Sequence, residues 1–312
     1  LDINHDGEKW TQFYLTSEEL DLIRLIESSG KFLRFGDVAE VDVGVVNGNN
    51  NFFILDHKKA LELDVLKYCF PIVGRSNHLH GILFNNSDYE SRLSQGERMY
   101  LFNPGLLTKE QLTSAAVDYI QFGEDSGVVD GYKCKIRQPY WWNVPSTWTP
   151  DAFLLRQIHN APKLTANLTK AISTDTVHRV RLKDGISSNL LAIAFFNSLT
   201  FALSEIRGRS YGGGVLELEP SEAENLLIPN VRGGVEVSLK HVDKLIREGK
   251  TEEVLNIIDS ELLIKSGLNT HQINTLRNIW KKLRTRRTGR NKKSNRLKPI
   301  YSPGLLALSS AA

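Results

Sequence analysis

The sequence predicts an α+β fold in which a mixed sheet-containing domain precedes a C-terminal helical appendage. Strand-like and helix-like stretches are intermixed over residues 1–234, without the regular strand–helix–strand repeat of a parallel α/β sheet. Residues 235–287 contain three amphipathic helical stretches, each stopped by a glycine or by basic residues. Residues 288–312 continue the chain as a basic tail that we expect to be disordered.

The N-terminal part begins with a predicted helix, which Thr16 or Ser17 can cap with its side-chain hydroxyl. Residues 38–46 are rich in valine and are predicted to form a strand. The polar segment 47–51 contains four asparagines and a glycine, and a further strand is predicted at 52–55. Because Asn and Gly tolerate a positive φ, this order predicts a hairpin or a bulged turn.

The rest of the domain alternates between helices and strands. Predicted helices cover residues 107–122 and 187–206, and predicted strands cover 163–168, 176–182 and 215–218. Pro220 is suited to the first turn of a short helix, because its missing N–H has no partner there in any helix.

The composition is that of an ordinary globular protein, with 41% hydrophobic and 24% charged residues in 312. Since no apolar run reaches the ~18 residues of a membrane span, we expect no membrane partner. The only two cysteines, Cys69 and Cys134, cannot form a disulfide framework, which favours a cytoplasmic location. The chain starts at Leu1 and its single methionine is Met99, so we expect it to be a piece of a longer protein.

The charge is distributed unevenly along the chain. Residues 281–298 contain ten Lys or Arg and no acid; without these ten of the 39 basic residues, 29 remain against 36 acidic residues. A basic arm on an acidic body indicates a polyanion-binding tail, and a solvated terminus is the alternative. We expect that deletion of residues 281–312 leaves the fold intact, because this stretch shows no apolar periodicity.

The sequence contains no motif typical of a catalytic, cofactor or metal site. GxGxxG, P-loop, HExxH and CxxC patterns are all absent. His78 and His80 have no Cys or His partner nearby in the sequence, and Ser210 lacks the GxSxG context of a nucleophile. We therefore predict that this chain has no catalytic residue, binds no cofactor and holds no metal.

Basic residues interleaved with aromatic ones are the strongest functional signal. In YKCKIRQPYWW, Lys133, Lys135 and Arg137 alternate with apolar residues, so a strand would place all three on one face. Trp141 follows and is a candidate for stacking on nucleic-acid bases. We predict that this face contacts nucleic acid, and the alternative is a half-exposed strand with core aromatics.

Two more segments carry candidate contacts of the same kind. Arg179 and Arg181 share a face of the predicted strand TVHRVRL. Asn47, Asn49 and Asn50 lie in the polar turn, and asparagine amides can pair with adenine edges. Asn-Gly turns also occur without any binding role, which remains the alternative for each asparagine.

A run of three consecutive glycines provides the last candidate. Arg207, Arg209 and Tyr211 directly precede it. We predict that the backbone at Gly212 and Gly213 approaches a phosphate, because bare N–H groups in a glycine-rich turn form anion sites and guanidinium groups suit phosphate. A tight connection that serves only the fold is the alternative.

The order of these motifs resembles the C-terminal half of the gamma-type, adenine-specific DNA methyltransferases of bacterial restriction–modification systems. The resemblance runs from about Trp10 to Arg287 and is carried by the following segments: VGVVNGNNNFFIL, YKCKIRQPYWWNVP, STDTVHRVRL and FFNSLTFALSEIRGRSYGGGVLELEPSEAENLLIP. The stretch GRSYGGGVLELEPSEAENLLIP is the most specific of them.

The resemblance implies the target-recognition half of such an enzyme, acting on double-stranded DNA. In that family the N-terminal half binds S-adenosylmethionine and carries an Asn-Pro-Pro-Tyr type motif that holds the flipped adenine. The nearest string here, Asn103-Pro104-Gly105, lacks the second proline and the aromatic residue. S-adenosylmethionine and methyl transfer to adenine N-6 would thus belong to a catalytic methyltransferase domain, in the same chain or a separate one.

Two other functions remain open from the sequence. The chain could be a DNA specificity subunit that acts with a separate catalytic chain. A nuclease is the other alternative, although no strand offers the two or three acids beside a lysine that a metal-dependent nuclease needs. Neither the recognised DNA sequence nor the oligomeric state follows from these patterns, because base readout depends on groove geometry.

Overall fold

The structure is a computed structural model that describes residues 9–183, 185–211 and 213–294. Gly212 and the tail residues 295–312, on which predictions were made above, lie outside these ranges. The α-helices are α1 Ser17–Ser28, α2 Phe35–Val38, α3 Asn50–Phe53, α4 His57–Glu62, α5 Asn86–Ser94, α6 Ser114–Asp125, α7 Tyr132–Lys135, α8 Ser188–Phe195, α9 Ser198–Arg207, α10 Pro220–Glu224, α11 Leu239–Arg247, α12 Thr251–Ile258 and α13 Thr270–Ser294. The π-helical turn Asp259–Ile264 directly follows α12.

The strands are β1 Phe32–Arg34, β2 Ala39–Asp42, β3 Ile54–Leu55, β4 Cys69–Val73, β5 Leu83–Phe84, β6 Tyr100–Phe102, β7 Ala152–Leu155, β8 Gln157–Ile158, β9 Leu164–Asn167, β10 Ile172–Ser173, β11 Val177–Leu182, β12 Arg209–Ser210, β13 Leu216–Glu217 and β14 Leu227–Pro229. Short 3-10 helices occur at Trp10–Tyr14, Leu66–Tyr68, Ser76–His78, Lys109–Gln111 and Val128–Asp130. Helices and mixed sheets thus combine in one chain, which confirms the α+β prediction.

A five-stranded sheet in the order β2-β11-β7-β9-β5 forms the centre of what we call the main lobe. The pair β5–β9 is parallel and the other pairs are antiparallel. Its core contains side chains from this sheet together with α1, α8 and α9, and Phe35 contacts Phe195 edge-on with ring centroids 5.1 Å apart. Two small sheets, β1-β14 and β12-β13-β8, complete the strands of this lobe.

The second lobe surrounds a four-stranded sheet in the order β10-β4-β6-β3. Its core is aromatic: Phe52 stacks on Tyr119 at 4.6 Å between ring centroids and lies 5.3 Å from the Trp141 ring. A small cluster that includes Phe84 and Phe153 packs between the two sheets and joins the lobes. The chain crosses from the main lobe to the second lobe through the segment after β2.

The C-terminal helices belong to the core of the main lobe. Trp280 of α13 is buried and packs edge-on against Phe201 of α9, with ring centroids 5.1 Å apart. Leu283 and Arg287 are also buried, at 4% and 3% exposure. The expectation that residues from 281 onward contribute no core is therefore wrong, because their side chains face α9 at helical spacing. The boundary predicted at 287 falls inside α13.

The predicted N-terminal helix is confirmed as α1. The Thr16 hydroxyl accepts a hydrogen bond from Glu19 N at 3.3 Å, and the Glu19 carboxylate accepts one from Thr16 N at 2.8 Å. This reciprocal pair satisfies two of the N–H groups that a helix start leaves open. The helix ends before Gly30, which has a φ of +66°.

The predicted hairpin around the asparagine turn is wrong. β2 pairs with β11 in the main lobe, whereas β3 pairs with β6 in the second lobe. Residues expected at the start of a strand form α3 instead, because Asn49 Oδ1 accepts hydrogen bonds from Asn51 N and Phe52 N and so caps a helical turn. The turn therefore connects two lobes rather than two strands of one sheet.

The single helix predicted at 187–206 is two helices. Asn197 separates them, because its Oδ1 accepts a hydrogen bond from Thr200 N at 2.9 Å and caps α9. The two axes are bent by 72°. Among the described helices, none alone is both long and apolar enough to cross a membrane; α8 and α9 meet those criteria only as this bent pair.

Candidate nucleic-acid interface

The segment that carries Lys133 and Lys135 is the helix α7 and not the predicted strand. The N–H groups of Cys134 and Lys135 both donate to Gly131 O, at 2.9 and 3.0 Å, so the local bonds are helical. Cys134 is buried, Lys133 is exposed, and Lys135 forms an exposed ion pair with Asp130 at 3.3 Å. The expected face with three cations does not exist, since side chains two apart diverge on a helix.

Arg137, the third cation of this segment, lies just after α7 and holds the asparagine turn. Its Nη2 donates to Val46 O at 2.9 Å and to Asn47 O at 2.8 Å, and its Nη1 donates to Trp141 O at 3.2 Å. Burial lowers the pKa of Arg137 from its ordinary value. The guanidinium therefore fixes the turn to the second lobe while keeping a positive charge near the surface.

The asparagines of the turn form hydrogen bonds with one another. Asn47 is buried, donates from Nδ2 to Asn50 Oδ1 at 2.7 Å, and accepts from Asn49 N at 2.9 Å. Asn49 is occupied with the cap of α3 described above. Asn50 is the one of the three predicted contacts whose side chain is exposed. A base contact by Asn47 or Asn49 would require this network to open.

Trp141 lies in the core of the second lobe, at 8% exposure. Its Nε1 donates to the Glu124 carboxylate at 3.1 Å, and its ring packs between Phe52 and Phe53. The geometry corrects the prediction of a stacking platform, because both ring faces are turned to protein. Trp141 is instead a core aromatic residue, which is the alternative that the sequence left open.

Arg179 and Arg181 lie on one face of β11, as predicted. The guanidinium carbon of each lies 4.4 Å from the centroid of the Trp148 ring. Arg179 is buried at 4% exposure, donates from Nε to Val43 O at 3.0 Å and lies 3.7 Å from Asp42. Arg181 is exposed. Arg179 therefore supports the sheet edge. Arg181 packs on the same tryptophan ring but is exposed to solvent.

These elements meet at a cleft of about 500 Å³ between the two lobes, which we call the interlobe cleft. Side chains and backbone of the following residues line it: Val43, Gly44, Val45, Val46, Lys133, Ile136, Arg137, Gln138, Asn143, Pro145, Ser146 and Arg179. The structure thus brings the asparagine turn, α7 and β11 together although they are far apart in the sequence. Within the described ranges, Lys133, Arg137 and Arg181 form no ion pair with a carboxylate.

Sequence reasoning missed two arginines beside the same turn. Arg98 donates from Nη1 to Asn50 O at 3.2 Å and to Asn51 Oδ1 at 3.3 Å, and exposed Arg75 lines the adjoining hollow. Buried His78 also lines that hollow, and burial lowers its pKa. No sequence signal marks these arginines, since each stands alone in its segment. Of the described side chains, no three among His, Cys, Asp and Glu cluster to hold a metal ion.

Arg207 and Arg209 do not line the interlobe cleft, and both are paired with acids. Arg207 forms an ion pair with Glu27, and Arg209 Nε lies 2.8 Å from the Glu222 carboxylate. Arg207 and Glu222 line a different hollow from the interlobe cleft. Tyr211 is exposed at 49%, and its N–H donates to Val215 O at 3.0 Å. The structure therefore does not bring these candidates to the other predicted contacts.

Gly213 and Gly214 form what we call the glycine turn, and Gly214 packs against α13. Gly213 and Gly214 have φ values of +91° and +73°. A Cβ on Gly214 would lie 3.1 Å from Thr288 Cα and 3.3 Å from Arg287 O. Arg287 donates to Gly214 O and forms a buried ion pair with Glu205 at 2.6 Å. The close approach that requires glycine here is thus to another part of the same chain.

Comparison with known proteins identifies the family. Residues 7–263 match the family described as Type II methyltransferase M.Eco57I, C-terminal domain. No curated protein matches the sequence.

Two solved structures are similar to the chain. One is the type IIG restriction endonuclease BpuSI, with a TM-score of 0.52 and 14% identity over 90% of this chain and 34% of that one. The other is the type IIL restriction-modification enzyme MmeI in complex with DNA, with a TM-score of 0.48 and 11% identity over 80% of this chain and 36% of that one. The chain therefore spans about a third of the length of each enzyme, and the likeness to BpuSI supports the fold.

The resemblance that the sequence motifs carry is confirmed by the family match, which covers most of the chain. This chain belongs to the family of the C-terminal domain of the type II methyltransferase M.Eco57I, and it corresponds to the C-terminal part of a restriction–modification methyltransferase.

Proposed function

We propose that this chain is the DNA target-recognition domain of an adenine-specific restriction–modification methyltransferase, and that DNA binds along the interlobe cleft. The observation that carries the proposal is the convergence of Lys133 and Arg137 at one cleft, where neither has an acidic partner among the described residues. Exposed Arg181 adds positive charge next to the cleft, because it shares the Trp148 ring with the cleft-lining Arg179. Unpaired cations attract phosphates and release counterions when DNA binds, which provides affinity for any sequence.

Rigid support of these cations also favours DNA binding. Arg137 is held by three backbone carbonyls, and Arg181 stacks on Trp148. A cation held in place loses less conformational freedom on binding than a mobile one. Exposed Asn50 belongs to the asparagine turn that Arg137 holds, and it is the asparagine best placed to reach a base edge, where sequence is read.

Methyl transfer would be performed by a catalytic domain that accompanies this chain. That domain would bind S-adenosylmethionine and transfer the methyl group to adenine N-6, and the enzyme would act in the cytoplasm. The family match and the absence of a glycine-rich cofactor motif from this sequence support this division. Calorimetry that measured micromolar binding of S-adenosylmethionine to residues 1–312 would contradict it.

Lysine footprinting tests the location of the DNA. The chain is acetylated with and without a saturating duplex, and the rate at each lysine is measured by mass spectrometry. We expect protection of Lys133 in the interlobe cleft and none at Lys58 or Lys244, whose side chains are 85% and 73% exposed. Equal rates at Lys133 with and without bound DNA would place the DNA on another face.

A further inference from the structure

Three exposed apolar side chains lie in or next to the interlobe cleft. Tyr132 is 73% exposed, Ile136 is 56% exposed and Val46 is 39% exposed. Tyr132 and Ile136 are one helical turn apart, with Ile136 N donating to Tyr132 O at 3.3 Å. Val46 and Ile136 both line the cleft. We call these three side chains the apolar tip.

The exposure of the apolar tip is a consequence of the helical conformation of α7. In the predicted strand, Tyr132, Cys134 and Ile136 would have shared a face directed into the core. In the helix only Cys134 points inward, at 1% exposure, and the two larger side chains point outward. Tyr132 is the most exposed of the large apolar side chains that the structure describes. The fold therefore presents these groups to solvent instead of burying them.

The apolar tip is held rigidly. Cys134 anchors α7 in the core of the second lobe. Gly48 of the asparagine turn approaches so closely that a Cβ there would lie 2.9 Å from Lys133 Cβ. Arg137 fixes Val46 through the backbone bond described above. A rigid projection loses little entropy when a partner covers it, so it is suited to specific contact.

Two cations without an ion pair in the described part of the chain lie next to the apolar tip. Lys133 and Arg137 flank it along the chain, and Lys133 lies 5.6 Å from the Tyr132 ring centroid. A partner for this surface needs flat apolar groups bordered by negative charge. DNA offers both, because base faces lie within a few ångströms of phosphates, and apolar side chains that insert at base steps do so next to cationic contacts.

We infer that the apolar tip contacts DNA bases directly, with Tyr132 stacking on a base and Ile136 packing at the same base step. This inference rests on the proposed function and deepens it, since it assigns a base contact to residues that lie outside the predicted set. The cations hold the phosphates and position the DNA, while the tip unstacks or covers one base step.

Photo-crosslinking tests the contact. The chain is bound to duplexes in which thymine is replaced by 5-iodouracil, irradiated, and digested for mass spectrometry. We expect the crosslinked peptide to carry Tyr132, because an aromatic ring stacked on the base lies within reach of the activated carbon. Crosslinks confined to other residues in a chain that binds the duplex would overturn the inference but leave the proposed function standing.

Binding of variants provides a second measurement. The double variant Tyr132→Ala/Ile136→Ala should bind duplex DNA about tenfold more weakly, with an unchanged melting temperature, whereas Tyr132→Phe should bind like the parent. The matched control is Leu25→Ala/Leu61→Ala, which removes two apolar side chains of 57% and 54% exposure that do not line the cleft. Parental affinity of the first double variant would overturn the inference. Failure of the parent chain to bind any duplex would instead reject the proposed function.

Discussion

The interlobe cleft and the glycine turn have similar compositions but different environments. Both combine arginine, an aromatic residue and glycine, and both were predicted to contact DNA. At the glycine turn, Arg207 and Arg209 face the carboxylates of Glu27 and Glu222. At the interlobe cleft, Lys133 and Arg137 have no such partner in the described ranges, and Arg181 stacks on the tryptophan that the cleft-lining Arg179 also contacts. The interlobe cleft therefore offers cations without an ion pair among the described residues to a polyanion, whereas the arginines before the glycine turn are paired.

A basic cluster in a sequence does not show whether its cations are paired with acids in the fold. Glu27 lies 180 positions from Arg207, so no local pattern could have shown that they pair. Four further predictions test the contrast between a region that serves DNA binding and one that serves the fold.

The largest effect is expected at the buried ion pair below the glycine turn. Replacing Arg287 by Ala leaves the Glu205 carboxylate buried without its partner, and breaking such a pair costs about 3–5 kcal/mol of unfolding free energy. Urea unfolding measures this cost. Burial already raises the pKa of Glu205, so at low pH, where the carboxyl is protonated in the variant, the loss should shrink.

The matched control for this variant is Arg286→Ala, one position earlier on α13. Arg286 is exposed and lies over the Tyr14 ring, so its loss should cost no more than about 1 kcal/mol. Equal losses for the two variants would show that the Arg287–Glu205 pair does not hold α13 to α9.

The next largest effects are expected from glycine substitutions, which should change DNA binding at the interlobe cleft but not at the glycine turn. Gly214→Ala and Gly48→Ala should each lower the melting temperature, because both positions have a positive φ and a close neighbour, at an expected cost of ~1–2 kcal/mol. Gly48→Ala should also weaken DNA binding, since it displaces Lys133 and the asparagine turn. Gly214→Ala should bind DNA like the parent below its melting temperature.

Gly96→Ala controls for backbone strain alone, because its φ is +74° and no atom lies near a built Cβ. Loss of DNA binding by Gly214→Ala with an unchanged melting temperature would restore the glycine turn as a phosphate site.

The smallest effect concerns pH. His78, beside the asparagine turn, and His178, which hydrogen bonds to Leu218 O, are both buried, and burial lowers the pKa of each below the ordinary value of 6.5. The unfolded chain therefore binds protons that the folded chain does not, so stability should fall as the pH drops below about 6.5. His178→Gln should flatten this dependence, as measured by urea unfolding from pH 7 to 5; an unaltered slope would contradict the assignment.

The sequence predicts those features that depend on local patterns. The capping box of Thr16 and Glu19 and the strand that carries Arg179 and Arg181 were predictable, because each is defined by residues within a few positions. The family was predictable from the order of the motifs, since the glycine-rich stretch is specific.

Features that depend on distant contacts were not predictable. Lys133, Lys135 and Arg137 alternate with apolar residues, which favoured a strand. The segment is instead a helix, and Cys134 packs in the core from that helix. Arg287 stands within the basic run, and its acidic partner lies 82 positions away on α9, so no local pattern indicates that this arginine forms a buried ion pair. Arg98 reaches the asparagine turn only because β6 and β3 are neighbours in one sheet.

The salt dependence of DNA binding distinguishes the interlobe cleft from the glycine turn as the site of DNA contact. Fluorescence anisotropy on one duplex compares Lys133→Ala/Arg181→Ala with Arg207→Ala/Arg209→Ala over a range of salt concentrations. Each lost phosphate contact reduces the slope of log K against log salt by about 0.9, so the first variant should lose roughly 2 units while the second keeps the parental slope. A reduced slope in the Arg207/Arg209 variant with a parental slope in the Lys133/Arg181 variant would place the DNA at the glycine turn instead of the interlobe cleft.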